Sequence, residues 1–583
     1  MKRLSALLGF AATGALAFVA VLGGLAQAPS KPTAGARVEA APAEFRRGVR
    51  PPIVSRKRTL VRIERGLVNH PVSLSALPAI DPRELEQEDL SLEPERQFPV
   101  SLEKLEELRK AGEALPPAPG ALLYRPLPGG PGPRITRSIE SIDASQAIPA
   151  GRRTNPPDPT LAVGKRHVVV ATNKAFAIYD KNSGALLSGP TLFGAFFASV
   201  GCVTPFDPNV LYDEREDRFF IAMDGAGFQY CFGATQTGDP TGDWNTYLID
   251  SVFDENDFFD YPQVGVGNEA IFMGSNTFPA DGGQTSQAWA INKQELYSGA
   301  PVTVVVHQLG DESTPHPMHL QGWKQGTWLP FGPHFFITNH DYNGRTYSLY
   351  AWLNPFGPGG GIFTRLGILD LATPSGVPAA YPNDTEQLGG NPVQSNDWSP
   401  LDLDWRNGYL WATTNILCNP GSGPVTCARW ARINPWNQTV VESRVLGTNG
   451  EWHTFASVGV NHCQDVALGY SKSSATSYIG AYVSTRLRSD PPGRLRPELT
   501  CKAGETTFHS FDGVPHRWGD YTEVAVDPNG SDMWYVGEYS KLNLADPTFT
   551  ATNWAVAVCK VDFRCRAPHG HGGDDDDDEG EDD

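Results

Sequence analysis

The chain has 583 residues, a formal net charge of −19 at pH 7, 40% hydrophobic and 19% charged residues. This balance excludes global disorder, and the acidic excess argues against nucleic acid as a partner, because phosphate binding needs a basic face. The 60 glycines and 49 prolines favour a fold with many tight turns.

Residues 1–28 form a leader with a basic start, an uncharged stretch from Leu4 to Ala28 and small residues at its end. This pattern is typical of an export signal. Pro29 follows directly, where a peptidase tolerates proline poorly, and the apolar stretch is also long enough to span a bilayer. We expect a bacterial protein that is secreted or exposed at the cell envelope. Its leader is either cleaved near Ala28 or kept as an uncleaved membrane anchor. No second apolar stretch of this length follows, so we expect no membrane span after the leader.

Residues 29–133 read as a Pro-rich, charged N-terminal extension. One helix is predicted from Ser101 to Lys110, because Leu102, Leu105 and Leu108 form one apolar stripe and Ser101 can cap it. A single helix cannot form a core of its own. We expect a spacer or lid packed on the main domain, with a cleaved propeptide as the alternative.

The remaining chain repeats one pattern seven times. Each unit opens with a short alternating segment, and two apolar runs follow it. The openings are Asp158-Pro-Thr-Leu-Ala-Val-Gly, Asp207-Pro-Asn-Val-Leu-Tyr-Asp, Asp260-Tyr-Pro-Gln-Val-Gly-Val, His316-Pro-Met-His-Leu-Gln, Trp398-Ser-Pro-Leu-Asp-Leu-Asp, His453-Thr-Phe-Ala-Ser-Val-Gly and Asp520-Tyr-Thr-Glu-Val-Ala-Val-Asp. Repeats made only of strands predict an all-β fold, a seven-bladed β-propeller over residues 134–566.

Two further strands are predicted in each unit, and they read as continuous apolar runs typical of strands buried on both faces. The second strands are predicted at 167–171, 218–223, 270–274, 334–338, 409–413, 465–470 and 532–537, and the third at 175–180, 229–234, 287–292, 347–352, 427–432, 477–482 and 554–559. The seventh unit has no segment left for an outer strand. We therefore predict that Ile135–Asp143 supplies it and closes the ring. The long gap between the fourth and fifth openings predicts a surface insertion.

Eight cysteines in an exported chain predict four disulfides. The simplest pairing joins neighbours along the chain: Cys202–Cys231, Cys418–Cys427, Cys463–Cys501 and Cys559–Cys565. No Cys-x-x-Cys pair exists to begin a zinc site. Residues 567–583 form an acidic, low-complexity tail that we expect to be disordered and to aid solubility.

Four segments carry a family resemblance. They are Asp207–Phe220, Gly238-Asp-Pro-Thr-Gly-Asp-Trp, Asp260–Val266 and Arg517–Pro528. They resemble exported bacterial propellers of the broad sialidase-like (BNR-repeat-like) type, most of them of unassigned activity. The resemblance implies the fold over residues 154–566 and not the chemistry, because propellers host many functions. Sialidase Asp-box turns read Ser/Thr-x-Asp-x-Gly-x-Thr-Trp, and only Thr237–Trp244 approaches this, with its glycine displaced. No catalytic residue is carried over.

Acids recur just before the first strand of five units, at Asp158, Asp207, Asp260, Asp397 and Asp520. In a propeller these positions would form a ring at the mouth of the channel. Such a ring could bind a ligand or Ca²⁺, which prefers oxygen ligands, or supply acid and base groups. The alternative is that each acid caps a turn through backbone N–H groups, and identical repetition favours that structural role.

Departures from the repeat are better candidates for chemistry. They are His316, His319, Asp341, Asp402, Asp404, His453, His462 and Arg517. Asp402 and Asp404 lie two residues apart on one predicted strand, so their side chains face the same side. Glycoside hydrolysis could use such a pair of carboxyl groups. Arg517 could pair with a carboxylate. Tryptophans also cluster in the fourth and fifth units, where they could stack on sugars or pack between blades: Trp323, Trp328, Trp352, Trp398, Trp405, Trp411 and Trp436.

Two functions remain open from the sequence. The first is a monomeric binding or scaffolding module at the cell exterior, with an extracellular glycan or protein at the channel mouth. The alternative is a glycan-acting hydrolase or lyase of sialidase-like type. No Gly-x-Ser-x-Gly elbow, His-Glu-x-x-His helix or phosphate-binding loop is present in the sequence.

Overall fold

The computed structural model describes residues 60–77, 99–118, 127, 132–147, 154–226, 228–254, 257–279, 282–310 and 312–565. The predicted leader and the predicted acidic tail lie outside the described residues. Within the described part of the chain, no helix is long and apolar enough to cross a membrane.

The strands form seven sheets around a central axis, which confirms the seven-bladed β-propeller. The inner strand of each blade contacts the inner strand of the next, and that of blade 7 contacts that of blade 1. From inner to outer, blades 1 to 3 contain Thr160–Val163, His167–Ala171, Ala175–Asp180 and Leu186–Leu192; Phe206–Asp213, Arg218–Gly225, Gln229–Thr235 and Asp243–Asp250; Phe258–Val266, Ala270–Phe278, Thr285–Asn292 and Val302–Gly310. Blades 4 and 5 contain Ser313–Pro317, His334–Asn339, Thr346–Leu353 and Ile362–Asp370; Asp402–Arg406, Tyr409–Cys418, Val425–Asn434 and Thr439–Leu446. In blade 5 the two-residue strand His319–Leu320 also pairs parallel with the inner side of Asp402–Arg406. Blades 6 and 7 contain Glu451–Val460, Val466–Ser474, Ser477–Arg486 and Leu499–Lys502; Glu523–Val526, Met533–Ser540, Trp554–Asp562 and Arg134–Asp143.

The ring closes as predicted from the sequence. Arg134–Asp143 is the outer strand of blade 7 and pairs antiparallel with Trp554–Asp562, so that Ile139 lies opposite Val558. Glu140 accepts hydrogen bonds from Lys502 Nζ at 2.6 Å and Tyr539 OH at 2.9 Å. The first described strand of the propeller therefore completes the sheet of its last blade and covers the edge of Trp554–Asp562.

The described parts of the N-terminal extension, residues 60–77 and 99–118, pack on the outside of the propeller. Val61–Leu67 adds a fifth strand to the outer edge of blade 3, and Val72–Ser73 adds one to blade 2. The helix runs from Leu102 to Glu113, with the Ser101 hydroxyl capping Lys104 N as expected. Leu105 packs with Tyr342 and Tyr381, which lies in the long insertion between blades 4 and 5. Three short α-helices are also described: Phe193–Phe196, Lys293–Ser298 and Ala372–Ser375. Short 3₁₀ segments span Leu74–Ala76, Ala198–Val200 and Pro358–Gly360.

All eight cysteines form disulfides, and two of the four predicted pairs are correct. Cys202–Cys231 and Cys418–Cys427 are confirmed. The pairs Cys463–Cys501 and Cys559–Cys565 are wrong, because the structure joins Cys463 to Cys565 and Cys501 to Cys559. Both observed bridges connect blade 6 with blade 7. Proximity along the chain misleads here because adjacent blades bring distant segments together.

The inner strands share a local distortion at their beginnings. Asp158, Asp207, Tyr261, Thr314 and Phe455 all have a positive φ, between 48° and 58°. In blades 2, 3, 4 and 6 the pairing of the inner strand slips just after this residue, as in a β-bulge. The bulge re-aims the side chain two residues later, and this fixes what faces the central axis.

Candidate functional site

Each inner strand places one side chain at the same register position. In five blades this residue lies two positions after the residue with positive φ. We call this set the polar ring. It comprises Thr160, Asn209, Gln263, His316, Asp402, Ser457 and Glu523. All except Ser457 line the central cavity. The seven residues are of seven different types, whereas a purely structural position in a repeat tends to keep one type.

The cavity inside the channel has an empty volume of about 710 Å³, part of which is open to solvent. Its wall combines the polar ring with apolar side chains that include Leu211, Val264 and Ala525. A mixed wall of this kind suits a small ligand held by a few polar contacts.

Asp402 and Glu523 form an acid pair on two sides of Ser457. Asp402 Oδ2 accepts hydrogen bonds from Ser457 Oγ at 2.6 Å and from Val458 N at 2.8 Å, and Ser457 Oγ accepts one from Val524 N. Burial raises the pKa of Asp402 from 3.8 to about 6, although these hydrogen bonds oppose it. Burial and the neighbouring Asp402 raise the pKa of Glu523 well above its usual value. Such groups can hold a proton near neutral pH and are candidates for acid–base chemistry or ligand binding.

Further along the channel lies a lower cluster made of Glu214, His319, Gln321, Asp404 and Arg406. Gln321 Nε2 donates to both Asp404 oxygens, at 2.9 and 3.0 Å. The Arg406 side chain is fully buried and donates to Gln321 Oε1 at 3.3 Å. Burial lowers the pKa of Arg406, whereas Glu214 and Asp404 raise it. Burial also lowers the pKa of His319 to about 4, so this imidazole is neutral at pH 7.

A loop from Gln321 to Thr327, which we call the lower loop, crosses this end of the channel. Glu214 Oε2 in blade 2 accepts hydrogen bonds from Gly322 N at 3.0 Å and Trp323 N at 2.9 Å. Gln325 Nε2 donates to Pro528 O after the inner strand of blade 7, at 3.1 Å. The lower loop therefore ties blades on different sides of the ring together and narrows the lower opening.

The opposite end is narrowed by two tyrosines. The Tyr261 and Tyr521 rings stack with centroids 5.1 Å apart. They belong to blades 3 and 7, which are not neighbours, so their contact lies across the channel. Tyr521 OH donates to Asp207 Oδ2 at 2.9 Å, and Tyr261 OH donates to Asp520 O at 3.3 Å. Both side chains are buried.

Four of the five predicted ring acids surround these tyrosines. Asp158 Oδ1 accepts a hydrogen bond from Asp520 N at 2.6 Å, and Asn173 donates to its other oxygen at 2.7 Å. Burial raises the pKa of Asp158 well above normal, and Asp520 and Asp207 raise it further. The bond from Asp520 N joins blades 7 and 1, and the bond from Asn173 lies within blade 1; both fit a structural role.

Asp207 and Asp260, together with Asp224, are the described acids that could hold a metal ion. Each offers an oxygen, and these atoms lie within 4.8 Å of one another. Burial raises the pKa of Asp207 to about 7. The oxygen ligands suit Ca²⁺, and binding at this ring remains a prediction. The fifth ring acid, Asp397, is bound elsewhere, by Tyr342 OH at 2.6 Å and Ser399 N at 2.7 Å.

The other predicted site residues are dispersed. Arg517 Nη2 pairs with Asp520 Oδ2 at 3.0 Å near the upper acids. His453 is buried against Tyr470 and does not line the cavity, and burial lowers its pKa to about 3. Asp341 is exposed next to His340.

His462 contacts the Cys463–Cys565 bridge through its ring nitrogens. Its Nδ1 also lies 2.6 Å from Gly530 O. Disulfide sulfurs are not thiolate ligands, so this histidine and the two cysteines do not form a metal site.

The tryptophan cluster mostly serves packing. Trp328, Trp352, Trp398, Trp405 and Trp411 are buried. Trp323 and Trp436 are 40% and 43% exposed and lie outside the cavity wall. Among the described tryptophans of this cluster, these two are the ones that a ligand outside the channel could contact.

Several cavity residues were not predicted from the sequence. His316, His319 and Asp402 were named as candidates, whereas Gln263, Glu523 and Glu214 were not. The sequence held no fixed spacing that marks them, because the ring residue follows the opening acid by two positions at Asp158 and Asp207, by three at Asp260 and Asp520 and by five at Asp397. The ring position is assigned from the pairing of the strands, and there it changes residue type in every blade.

The pH dependence of stability tests the acid pair. Because the pKa of Asp402 is raised from 3.8 to about 6, the native state binds this proton more tightly than the unfolded chain, and stability from this group falls as pH rises from 4 to 6. We expect the free energy of unfolding of Asp402→Asn, measured relative to the wild type, to increase by roughly 3 kcal/mol between pH 4 and pH 7. Denaturant unfolding at both pH values measures the change.

Asp370→Asn is the control for this experiment. Although burial raises the pKa of Asp370, hydrogen bonds from Arg345 and Thr373 lower it overall. The wild type should therefore gain stability over this control as pH rises from about 2 to 4, the opposite direction. Equal pH profiles for wild type and Asp402→Asn would show that Asp402 is not buried with a bound proton.

No protein-family model and no curated protein matches the chain. Several solved structures match it at low similarity. The WD40 domain of SCAP from fission yeast has 8% identity and a TM-score of 0.33, with 73% of this chain and 98% of that chain covered. An endo-arabinase from Bacteroides thetaiotaomicron has 12% identity and a TM-score of 0.25, covering 60% and 92%. A subtype N10 neuraminidase-like protein of A/little yellow-shouldered bat/Guatemala has 9% identity and a TM-score of 0.32, covering 60% and 98%. At these values the matches carry no argument about activity.

Proposed function

We propose that this chain is an exported bacterial β-propeller that binds a small polar ligand inside its central channel. The observation that carries the proposal is the polar ring, in which seven blades contribute seven different polar side chains at one register position, and all of them except Ser457 line the cavity. Four disulfides and the leader support a place outside the cell. The resemblance to exported sialidase-like propellers points the same way.

Two members of the ring have side-chain polar groups without a hydrogen-bond partner among the described residues. Gln263 is 6% exposed, and its Nε2 atom has no hydrogen-bond partner. The Glu523 carboxyl group lines the same cavity and makes no hydrogen bond to the described residues. A buried polar group without a partner costs roughly 1–3 kcal/mol, and a ligand that satisfies it recovers this energy on binding.

Ligand-induced stabilisation tests the proposal. Monosaccharides and polyols at millimolar concentration should raise the Tm of the full chain, because a ligand that binds only the native state stabilises it. Gln263→Leu should remove the rise while keeping the fold, and Asn182→Leu, on the exposed turn of blade 1, should keep it. If the rise survives in Gln263→Leu, the ligand does not bind in the channel.

Glycan hydrolysis is the second candidate, and the acid pair favours it. Asp402 and Glu523 have raised pKa values and interact with each other, as two carboxyl groups with acid and base roles would. A panel of chromogenic glycosides tests this. Turnover by the wild type that Glu523→Gln and Asp402→Asn both abolish would support hydrolysis; turnover unchanged in both variants would exclude these residues.

A further inference from the structure

The charge of the cavity wall restricts what it can bind. Three carboxyl groups line it, those of Glu214, Asp402 and Glu523. Among the described residues that line it there is no lysine or arginine. The pKa values of all three are raised, so these groups can hold protons near neutral pH, but a cation bound beside them would favour their charged form. The wall therefore suits a cation better than an anion.

The two cavity histidines do not offset this charge. His316 Nδ1 lies 3.0 Å from Pro317 O, and burial lowers its pKa to about 4. Burial lowers the pKa of His319 to about 4 as well. Both imidazoles are neutral at pH 7.

The three carboxyl groups differ in how far they are already satisfied. Glu214 is bound by the two backbone N–H groups of the lower loop, and Asp402 is bound by Ser457 and Val458. Burial and then the repulsion of Asp402 raise the pKa of Glu523, and no hydrogen bond from a described residue opposes them. Glu523 is thus the carboxyl group to which an incoming cation would bind.

Gln263 gives an independent observation that points to a ligand. It is more than nine-tenths buried, it lines the same cavity, and its Nε2 atom lacks a partner. An amide N–H₂ group needs a hydrogen-bond acceptor. A bare metal ion offers none, whereas a hydroxyl oxygen does.

We propose that the channel ligand is a hydroxylated amine, with its ammonium group at Glu523 and a hydroxyl oxygen at Gln263; this rests on the proposed binding function. An ammonium group supplies the positive charge and several N–H donors, and its bonds to a carboxylate are charge-assisted. An amino sugar has this combination within one small molecule.

Matched pairs of compounds test the charge. Calorimetric titration of the full disulfide-bonded chain would compare glucosamine with glucose, galactosamine with galactose, and ethanolamine with ethylene glycol. We expect at least one amine to bind about tenfold or more tightly than its uncharged partner, the effect of one added charge-assisted hydrogen bond. N-acetylglucosamine, which lacks the charge, should bind as glucose does.

Two variants assign the two ends of the ligand. Glu523→Gln should remove the preference for the amine and leave the weak binding of glucose. Gln263→Leu should weaken amine and glucose by the same factor. Thermal unfolding of both variants without ligand verifies that they are folded.

The outcomes separate this inference from the proposed function. Equal affinity for amine and alcohol would overturn the amine but keep the channel as a polar binding site. Failure of every compound to bind at millimolar concentration would overturn both. Calcium chloride is titrated as the last compound. If calcium binds in a way that depends on Glu523 while amines bind no better than alcohols, the ligand is an inorganic cation and the proposal of an amine is wrong.

Discussion

Ile142→Asp is expected to lower the free energy of unfolding by about 4 kcal/mol or more. Ile142 is fully buried on the outer strand of blade 7 and packs in one cluster with Trp534, Trp554 and Val556. Loss of a buried isoleucine costs about 2–5 kcal/mol, and a buried carboxylate without a partner adds to it. The total free energy of unfolding of a domain is only about 5–15 kcal/mol. Denaturant unfolding at neutral pH, followed by tryptophan fluorescence, measures the loss.

Ser138→Asp is the matched control, because it adds the same carboxylate to the same strand at an exposed position. It should change stability by less than about 0.5 kcal/mol. The contrast tests whether Arg134–Asp143 closes the ring, since a strand that only rests on the surface would tolerate both substitutions. Equal stability of the two variants would therefore contradict the closure.

The strand prediction succeeded where strands are buried on both faces. Second and third strands such as Arg218–Gly225 and Trp554–Asp562 are almost wholly buried, so each contains a continuous apolar run of at least five residues. Outer strands such as Leu186–Leu192 and Ile362–Asp370 are mostly exposed or half-buried. Their sequences carry little signal, which is why only the closing strand could be predicted among them.

Contacts between blades could not be predicted from the sequence. Cys501 and Cys559 are 58 residues apart, and Cys463 and Cys565 are 102 apart. Spacing along the chain holds no information on which blade faces meet. The N-terminal strand at Val61–Leu67 escaped prediction for the same reason, because its partner Val302–Gly310 lies far along the chain.

The candidate site could be predicted from the sequence only in part, for the same reason. Asp402 could be named because it breaks the repeat, but its partner Glu523 lies two blades away. The repeated acids attracted attention as a ring, whereas Asp158 and Asp207 are largely engaged in hydrogen bonds between blades. The register of the inner strand, set by the bulge, decides which side chains face the cavity. That register becomes visible only when the strands are paired.

Arg406→Met is expected to destabilise the protein by about 3–5 kcal/mol at pH 7, the cost of leaving buried charges without their partner. The Arg406 guanidinium donates to Val460 O at 2.6 Å and Thr327 Oγ1 at 2.8 Å, so it joins blade 5, blade 6 and the lower loop. It also faces the carboxyl groups of Glu214 and Asp404. Methionine keeps most of the volume but none of these interactions.

The loss in Arg406→Met should shrink as the pH is lowered from neutral to acid. Without the guanidinium, the already raised pKa values of Glu214 and Asp404 rise further, so the variant's native state takes up protons that the unfolded chain does not, and its stability increases toward acid pH. Arg345→Met removes an arginine whose ion pair with Asp370 is exposed, and such pairs contribute little. It should change stability little at either pH. A loss in Arg406→Met that is independent of pH would mean that packing alone, and not the neutralisation of buried carboxylates, makes this arginine necessary at the base of the channel.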